Sequence, residues 1–209
     1  PGEAARLLEV DTAAIQAVGK SVLAGSATAS WPSISLKRSA LHPRYEYGRR
    51  QQVLRELGAR LRALALAARS AGIALTIDAE EADRRELWLE LLDGLLTDPG
   101  LADWEGLGLA VQAYFKRAPD VLRWLAARAD ATGRVLNVRL VKGAYWDSEI
   151  KRAQERGLPG YPVFTRKHHT DVCYLACARI LLEGSRRLLP QFATHNAQTA
   201  ASIIHLARA

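Results

Sequence analysis

The sequence predicts an α/β protein, in which helices connect the strands of a parallel sheet. Five short apolar segments alternate with longer segments whose apolar residues recur every three or four positions. The strand starts are roughly 30 to 55 residues apart, which leaves room for crossover helices between parallel strands. Each strand ends in polar residues. Because barrels build their active sites from such strand ends, this favours a closed (β/α)8 TIM-type barrel over an open doubly wound sheet.

The first half of the chain contains two predicted strands. A helix over residues 4–23 precedes the first strand, at 33–36. The apolar face of the next helix consists of Leu54, Leu57, Leu61, Leu64 and Ala68. That helix ends at Gly72, and the β-branched segment 73–77 forms the second strand. The face of the following helix consists of Trp88, Leu91, Leu92 and Leu95.

The second half contains three predicted strands. Residues 107–111 form the third strand, and Pro119 opens the helix that follows it. The face of that helix consists of Leu122, Leu125, Ala126 and Ala129. Residues 135–141 form the fourth strand, and a helix over 171–182 precedes a weaker fifth strand at 191–193.

The length of the chain predicts an incomplete barrel. A barrel of this class needs about 250 residues, whereas this chain has 209. We therefore expect about five of the eight strands, with roughly one missing in front and two behind. Residues 1–30 would form the N-terminal helix, and residues 31–209 the central part of the barrel.

Composition argues against several other classes of protein. No run of 18 apolar residues is long enough for a membrane span. The net charge is +7, but the basic residues are dispersed, so nucleic-acid binding is weakly supported. Cys173 and Cys177 lie four residues apart without a second Cys/His pair of matching spacing, which favours buried thiols over metal ligands.

The first two strands end beside charged residues. Asp78 follows an apolar strand, where its carboxylate would face the mouth of the barrel, whereas Glu80, Glu81 and Asp83 fit helix capping. Lys37 follows the first strand. A lysine there either extends into solvent or holds a substrate carboxylate.

The later strands end in residues suited to an anionic or aromatic ligand. Gln112 offers an amide to an uncharged ring. Arg139 shares a strand face with Val141, and inside a barrel it needs an anionic partner, such as a ligand or Asp78. The segment 165–167 precedes a helix and predicts an anion site.

A glycine, two aromatic residues and a histidine are further candidates for ligand contacts. The segment 143–144 lets a ligand approach the backbone closely. Tyr145 and Trp146 either contact a ring or close the top of the barrel. The segment 194–196, which contains His195, again follows a strand. The strand ends as a set suit a large phosphate-bearing redox cofactor and a small carboxylate substrate.

Six segments of the chain closely resemble the proline dehydrogenase domain of the bifunctional proline utilization A flavoenzymes. They are residues 39–45, 77–81, 112–114, 139–152, 160–167 and 190–196. The resemblance covers almost the whole chain and implies a flavin-binding (β/α)8 barrel. It also implies FAD-dependent oxidation of L-proline to 1-pyrroline-5-carboxylate, the first step of proline catabolism.

The family's chemistry implies partners as well. Hydride would pass from proline to flavin N5, and the electrons would then pass to a membrane quinone. The protein would be cytoplasmic and associate peripherally with the inner membrane, and its parent would carry an aldehyde dehydrogenase domain and a DNA-binding domain. Two alternatives stay open: a truncated barrel without activity, and a flavin barrel that acts on another small substrate.

The resemblance assigns roles residue by residue. The catalytic residues would be Arg139, Asp78 and Lys37. The cofactor-binding residues would be Gln112, Arg139, Val141, Gly143, Ala144, Trp146, Thr165, Arg166, Lys167, Thr194, His195 and Asn196. Lys37, Asp78 and Tyr145 would bind the substrate, with no metal. The family's carboxylate-binding arginine pair would lie beyond Ala209.

Overall fold

The structure is a computed structural model, and it describes residues 2–23, 32–184 and 186–208. Within these ranges the helices are α1 (Gly2–Leu23), α2 (Arg38–Leu41), α3 (Arg50–Ser70), α4 (Arg85–Leu96), α5 (Ala118–Thr132), α6 (Trp146–Glu155), α7 (Lys167–Glu183) and α8 (Ala197–Arg208). The strands are β1 (Ser33–Leu36), β2 (Ala74–Ile77), β3 (Leu107–Gln112), β4 (Leu136–Val141) and β5 (Leu188–Phe192). One or two helices separate each strand from the next, which confirms the predicted alternation.

Several boundaries differ from the prediction. The fifth strand begins at Leu188, three residues before the predicted segment, and α7 begins at Lys167, four residues before its predicted start. On α3, Val53 is buried and Leu54 only half-buried, so the buried face of that helix starts one residue earlier than predicted. Both α6 and α8 were absent from the prediction. After Trp146, the only aliphatic residues of α6 are Ile150 and Ala153. Two such residues are too few to reveal the periodicity of a helix in the sequence.

The described residues divide into two compact units. The first comprises Pro1–Leu109 and Arg134–Leu136. In it β1, β2 and the first part of β3 pair in parallel, with Leu36 opposite Ile77 and Ile77 opposite Leu109. Every residue of β2 is buried, because α3 covers this part of the sheet with its apolar face.

A buried arginine organises one loop of the first unit. The Arg134 guanidinium is 5% exposed and donates to the carbonyl oxygens of Leu101 and, at 3.2 Å, of Trp104. Burial lowers its pKa. Carbonyl acceptors compensate for part of the desolvation, which explains how an arginine is tolerated inside the unit.

The second unit comprises Ala110–Gly133 and Asn137–Ala209. In it β4 lies between the second part of β3 and β5, and the strands follow the order β1-β2-β3-β4-β5 in the sheet. Burial alternates along β4, where Leu136, Val138 and Leu140 are buried while Arg139 and Val141 are half-buried. This confirms the prediction that Arg139 and Val141 share a face.

Tyr174 of α7 links two strand ends of the second unit. Its side chain is fully buried, and its hydroxyl lies 3.1 Å from the carbonyl oxygen of Leu140 and 3.2 Å from that of Ala193. The one hydroxyl proton can be donated to either oxygen. Burial raises the pKa of Tyr174 to about 12.

This raised pKa predicts a loss of stability at high pH. Between the ordinary pKa of 10.0 and about 12, the unfolded chain releases the Tyr174 proton while the folded chain keeps it. Stability is therefore complete below that window and falls as the pH rises through it, by about 1.4 kcal/mol for each pH unit. Urea unfolding of the protein and of Tyr174→Phe at about pH 8 and about pH 11 measures this effect. An equal pH dependence in the two proteins would contradict the assignment.

The two cysteines are unbridged and buried in α7. Their sulfur atoms are 3.9 Å apart, and the contact with Cys173 together with burial raises the pKa of the Cys177 thiol. No group of three or more potential His, Cys, Asp or Glu metal ligands occurs among the described residues. No helix within the described ranges combines the length and the hydrophobicity that a membrane span requires.

Candidate functional site

A cavity of about 450 Å³ lies in the second unit, beside the end of β4 and the start of α7. Its lining consists of Tyr114, Lys142, Gly143, Trp146, Asp147, Thr165, Lys167 and Thr170. Four of the predicted cofactor-binding residues are in this set: Gly143, Trp146, Thr165 and Lys167. The cavity therefore brings together the two segments, around 143–146 and 165–167, that the sequence singled out.

Gln112 holds one of these segments through its side chain. It is the last residue of β3, is 3% exposed, and accepts a hydrogen bond from the backbone N–H of Ala144 at 2.9 Å. The carboxamide oxygen thus fixes the loop that follows β4. This structural role adds to the predicted contact with a cofactor ring, which stays a prediction.

Gly143 occupies a position that a larger residue does not fit. Its φ is +145°, and an added Cβ would lie 2.5 Å from the ring of Tyr114. Tyr114 is 2% exposed, and its backbone N–H donates to the carbonyl oxygen of Lys142 at 2.8 Å. Gly143 therefore lets the loop after β4 pass close to the buried Tyr114 ring, a contact that the sequence could not show.

Trp146 is hydrogen-bonded to the segment that precedes α7. It begins α6, its side chain is partly exposed, and its indole N–H donates to the carbonyl oxygen of Phe164 at 2.8 Å. The backbone N–H of Phe164 in turn donates to the carbonyl oxygen of Tyr114 at 2.9 Å. Tyr145 precedes α6 and is half-buried. Contact of either aromatic ring with a ligand stays a prediction.

Two lysines at the cavity share one carboxylate. The ammonium group of Lys142 pairs with one oxygen of Asp171, and that of Lys167 lies 3.0 Å from the other. These bonds, first that of Lys142 and then that of Lys167, lower the pKa of the Asp171 carboxyl. Since α7 begins at Lys167, with the exposed Arg166 as its N-cap, the predicted position before a helix is confirmed. Cations at a helix N-terminus suit an anion.

The segment after β5 has a capping role. The side-chain oxygen of Asn196 accepts from the backbone N–H of Thr199 at 2.9 Å, and the Thr194 hydroxyl oxygen accepts from the Asn196 N–H at 3.1 Å. These bonds begin α8 as an N-cap does. His195 is exposed. A cofactor contact by this segment stays a prediction beside the observed capping.

In the first unit, Lys37 and Asp78 lie side by side at two strand ends. Leu36 and Ile77 are opposite each other in the parallel pair, and the Asp78 N–H donates to the carbonyl oxygen of Leu36 at 2.9 Å. Lys37 is exposed and is the N-cap residue of α2. The structure thus places these two predicted substrate-binding residues next to each other.

Glu80 joins the loops that carry Lys37 and Asp78. It is 5% exposed, and its carboxylate accepts from the backbone N–H of Ser39, in α2, at 2.9 Å. The sequence predicted helix capping for Glu80. The bond shows that it caps the helix after the neighbouring strand.

Replacing Glu80 with alanine should lower the free energy of unfolding by about 2 kcal/mol, because the Ser39 N–H loses its acceptor. Glu80→Gln keeps an acceptor oxygen and should lose less. Glu81→Ala is the matched control, since Glu81 is a half-buried carboxylate of the same loop that pairs with Arg84 at 3.2 Å. Urea denaturation of the three variants measures the difference. Equal losses for Glu80→Ala and Glu81→Ala would show that the bond to Ser39 adds nothing.

The geometry of the second unit defines an α/β protein with a cationic cavity beside strand ends and a helix N-terminus. A family model described as proline dehydrogenase matches residues 2–209. The chain belongs to the proline dehydrogenase family.

Curated relatives agree with this membership. The chain is 55% identical over 194 residues to the bifunctional protein PutA of Salmonella typhimurium, and the match covers 93% of this chain and 15% of the relative. It is 56% identical over 176 residues to PutA of Rhizobium meliloti, covering 84% and 14%. It is 32% identical over 118 residues to hydroxyproline dehydrogenase of Bos taurus, covering 55% and 25%. The chain thus spans about one seventh of the length of the PutA relatives.

Solved structures give the same result for the fold. A crystal structure of bifunctional proline utilization A superposes with a TM-score of 0.95 and 51% identity, over 100% of this chain and 21% of that one. The protein from Bdellovibrio bacteriovorus superposes with a TM-score of 0.94 and 28% identity, over 99% and 22%. The predicted TIM-barrel-like α/β fold is therefore confirmed.

Proposed function

We propose that this chain forms the core of a proline dehydrogenase that oxidises L-proline to 1-pyrroline-5-carboxylate with FAD as cofactor. The observation that carries the proposal is the cationic cavity, because it lies in a chain whose residues 2–209 match the proline dehydrogenase family. In this proposal, α1 belongs to an N-terminal helical region predicted over residues 1–30, and residues 31–209 form the central part of the barrel. Residues 1, 24–31, 185 and 209 of these two regions lie outside the described residues.

The donors at the cavity fit a dinucleotide flavin. Two lysine ammonium groups, two threonine hydroxyls and a helix N-terminus supply donors for phosphate oxygens, and the carboxylate of Asp147 also lines the cavity. The residues that would hold FAD are Gln112, Arg139, Val141, Gly143, Ala144, Trp146, Thr165, Arg166, Lys167, Thr194, His195 and Asn196. When bound, FAD supplies a two-electron acceptor for the hydride of the proline ring carbon beside nitrogen.

Other side chains would bind the substrate or stabilise charge on the flavin. Arg139 is half-buried. Its positive charge would stabilise the negative charge that the flavin gains when it accepts the hydride. Lys37 would attract the proline carboxylate and Asp78 the proline amine, because their charges are opposite to those of the two groups. Tyr145 would contact the substrate as well.

This chain covers only 15% of the PutA relative from Salmonella typhimurium, so that protein has room for further domains. We propose that the electrons go on to a quinone and that the parent associates peripherally with the inner membrane on its cytoplasmic side. Aldehyde dehydrogenase and DNA-binding domains would accompany this region.

Turnover tests the proposal. We expect the purified protein, supplied with FAD and a soluble electron acceptor, to form 1-pyrroline-5-carboxylate from L-proline and none from D-proline. Hydroxyproline is the comparison substrate, because one relative is named for it. Binding of FAD without turnover would favour a barrel that lacks activity. Turnover of hydroxyproline alone would favour a flavin barrel with another small substrate.

A further inference from the structure

Asp171 lies behind the two lysines of the cavity. It belongs to the start of α7 and is absent from the cavity lining, whereas Lys142 and Lys167 both line the cavity. Each oxygen of its carboxylate pairs with one lysine, so a single side chain connects the end of β4 with the start of α7.

The carboxylate of Asp171 restrains two flexible lysine side chains. Lysine side chains have long flexible stems and lose conformational entropy when they are held in one place. The side chain of Lys167 is 78% exposed and that of Lys142 is 25% exposed, so packing restrains Lys167 little. The two ammonium groups also repel each other. A carboxylate between them restrains both side chains and reduces this repulsion. The two lysines and Asp171 together carry one net positive charge, and the carboxylate of Asp147 also lines the cavity.

We infer that Asp171 is a positioning residue that holds Lys142 and Lys167 for the phosphate groups of FAD. This inference rests on the proposed function. Asp171 lies outside the cavity lining and both of its oxygens are directed to lysines, so the inference assigns it no direct contact with FAD. Its effect on binding is therefore indirect, through the placement of two cations.

A local structural role is the competing explanation. Lys167 and Asp171 are four residues apart on one helix, and such pairs stabilise helices slightly whether or not a ligand binds. Riboflavin distinguishes the two explanations because it lacks phosphate groups. A residue that positions phosphate-binding lysines affects FAD, whereas a residue that only maintains the local fold affects both flavins alike.

The test compares the dissociation constants of FAD and riboflavin, measured by flavin fluorescence on the purified protein. We expect Asp171→Asn and Asp171→Ala to weaken FAD binding about tenfold and to change riboflavin binding less than about twofold. Asp171→Glu should restore most of the FAD affinity. The matched control is Glu183→Ala, which breaks another carboxylate pair of α7, with Arg179 at 3.4 Å.

Three results would overturn the inference. The first is unchanged FAD binding in Asp171→Ala, and the second is an equal loss for FAD and riboflavin. In either case the proposed function stands, because the unaltered protein binds FAD. The third is failure of the unaltered protein to bind FAD at all, which removes the proposed function together with the inference.

Discussion

Replacing Arg139 with methionine is expected to slow the reduction of bound FAD by L-proline about 100- to 1,000-fold. Methionine keeps much of the length of the half-buried side chain but removes its charge. If that charge stabilises the electrons gained by the flavin, its loss raises the barrier for transfer. Stopped-flow absorbance under anaerobic conditions, at saturating FAD and L-proline, measures the rate directly.

Two further variants separate charge from placement. Arg139→Lys keeps the positive charge and should retain more of the rate than Arg139→Met. Arg123→Met removes an exposed arginine of α5 that pairs with Asp120 at 3.0 Å, and it should leave the rate unchanged. A rate for Arg139→Met within about threefold of the unaltered protein would exclude the role proposed for this charge.

Replacing Gly143 with alanine is expected to lower the free energy of unfolding by about 3 kcal/mol and to abolish tight FAD binding. The added Cβ meets the base of the Tyr114 ring, which is buried and cannot move aside without displacing its neighbours. The positive φ of +145° adds strain for any residue with a Cβ. Urea unfolding gives the stability, and flavin fluorescence gives the binding.

Other glycines of the second unit supply graded controls. Gly157 has a φ of +59° but open space around an added Cβ, so Gly157→Ala should show the cost of backbone strain alone, about 1 kcal/mol. Gly160 has neither strain nor a close neighbour, so Gly160→Ala should be neutral. A loss for Gly143→Ala no larger than that for Gly157→Ala would mean that the Tyr114 ring yields easily.

Strands were predictable because the burial of each is visible in a short stretch of sequence. The segment 107–111 contains no polar side chain, and the alternation of side chains along β4 placed Arg139 on the same face as Val141. The helices α6 and α8 lack a similarly clear pattern. Polar residues dominate α6, and only Thr199 and Ile203 are buried on α8.

The candidate site was predictable in part, for a related physical reason. Strand ends are positions that the alternation of elements reveals, so Lys37, Asp78 and Gln112 could be named from sequence. Contacts between distant side chains leave no such pattern. Asp171 is 29 residues from Lys142, and Glu80 is 41 residues from Ser39, so only the folded chain shows that these pairs meet.

The most direct test of the proposed function is the visible spectrum of the FAD-loaded protein before and after anaerobic addition of L-proline. Oxidised flavin absorbs in the visible range, and transfer of two electrons bleaches that absorbance. The proposal predicts full bleaching by L-proline and none by D-proline. An unchanged oxidised spectrum in excess L-proline would contradict the proposal that this chain oxidises proline with FAD.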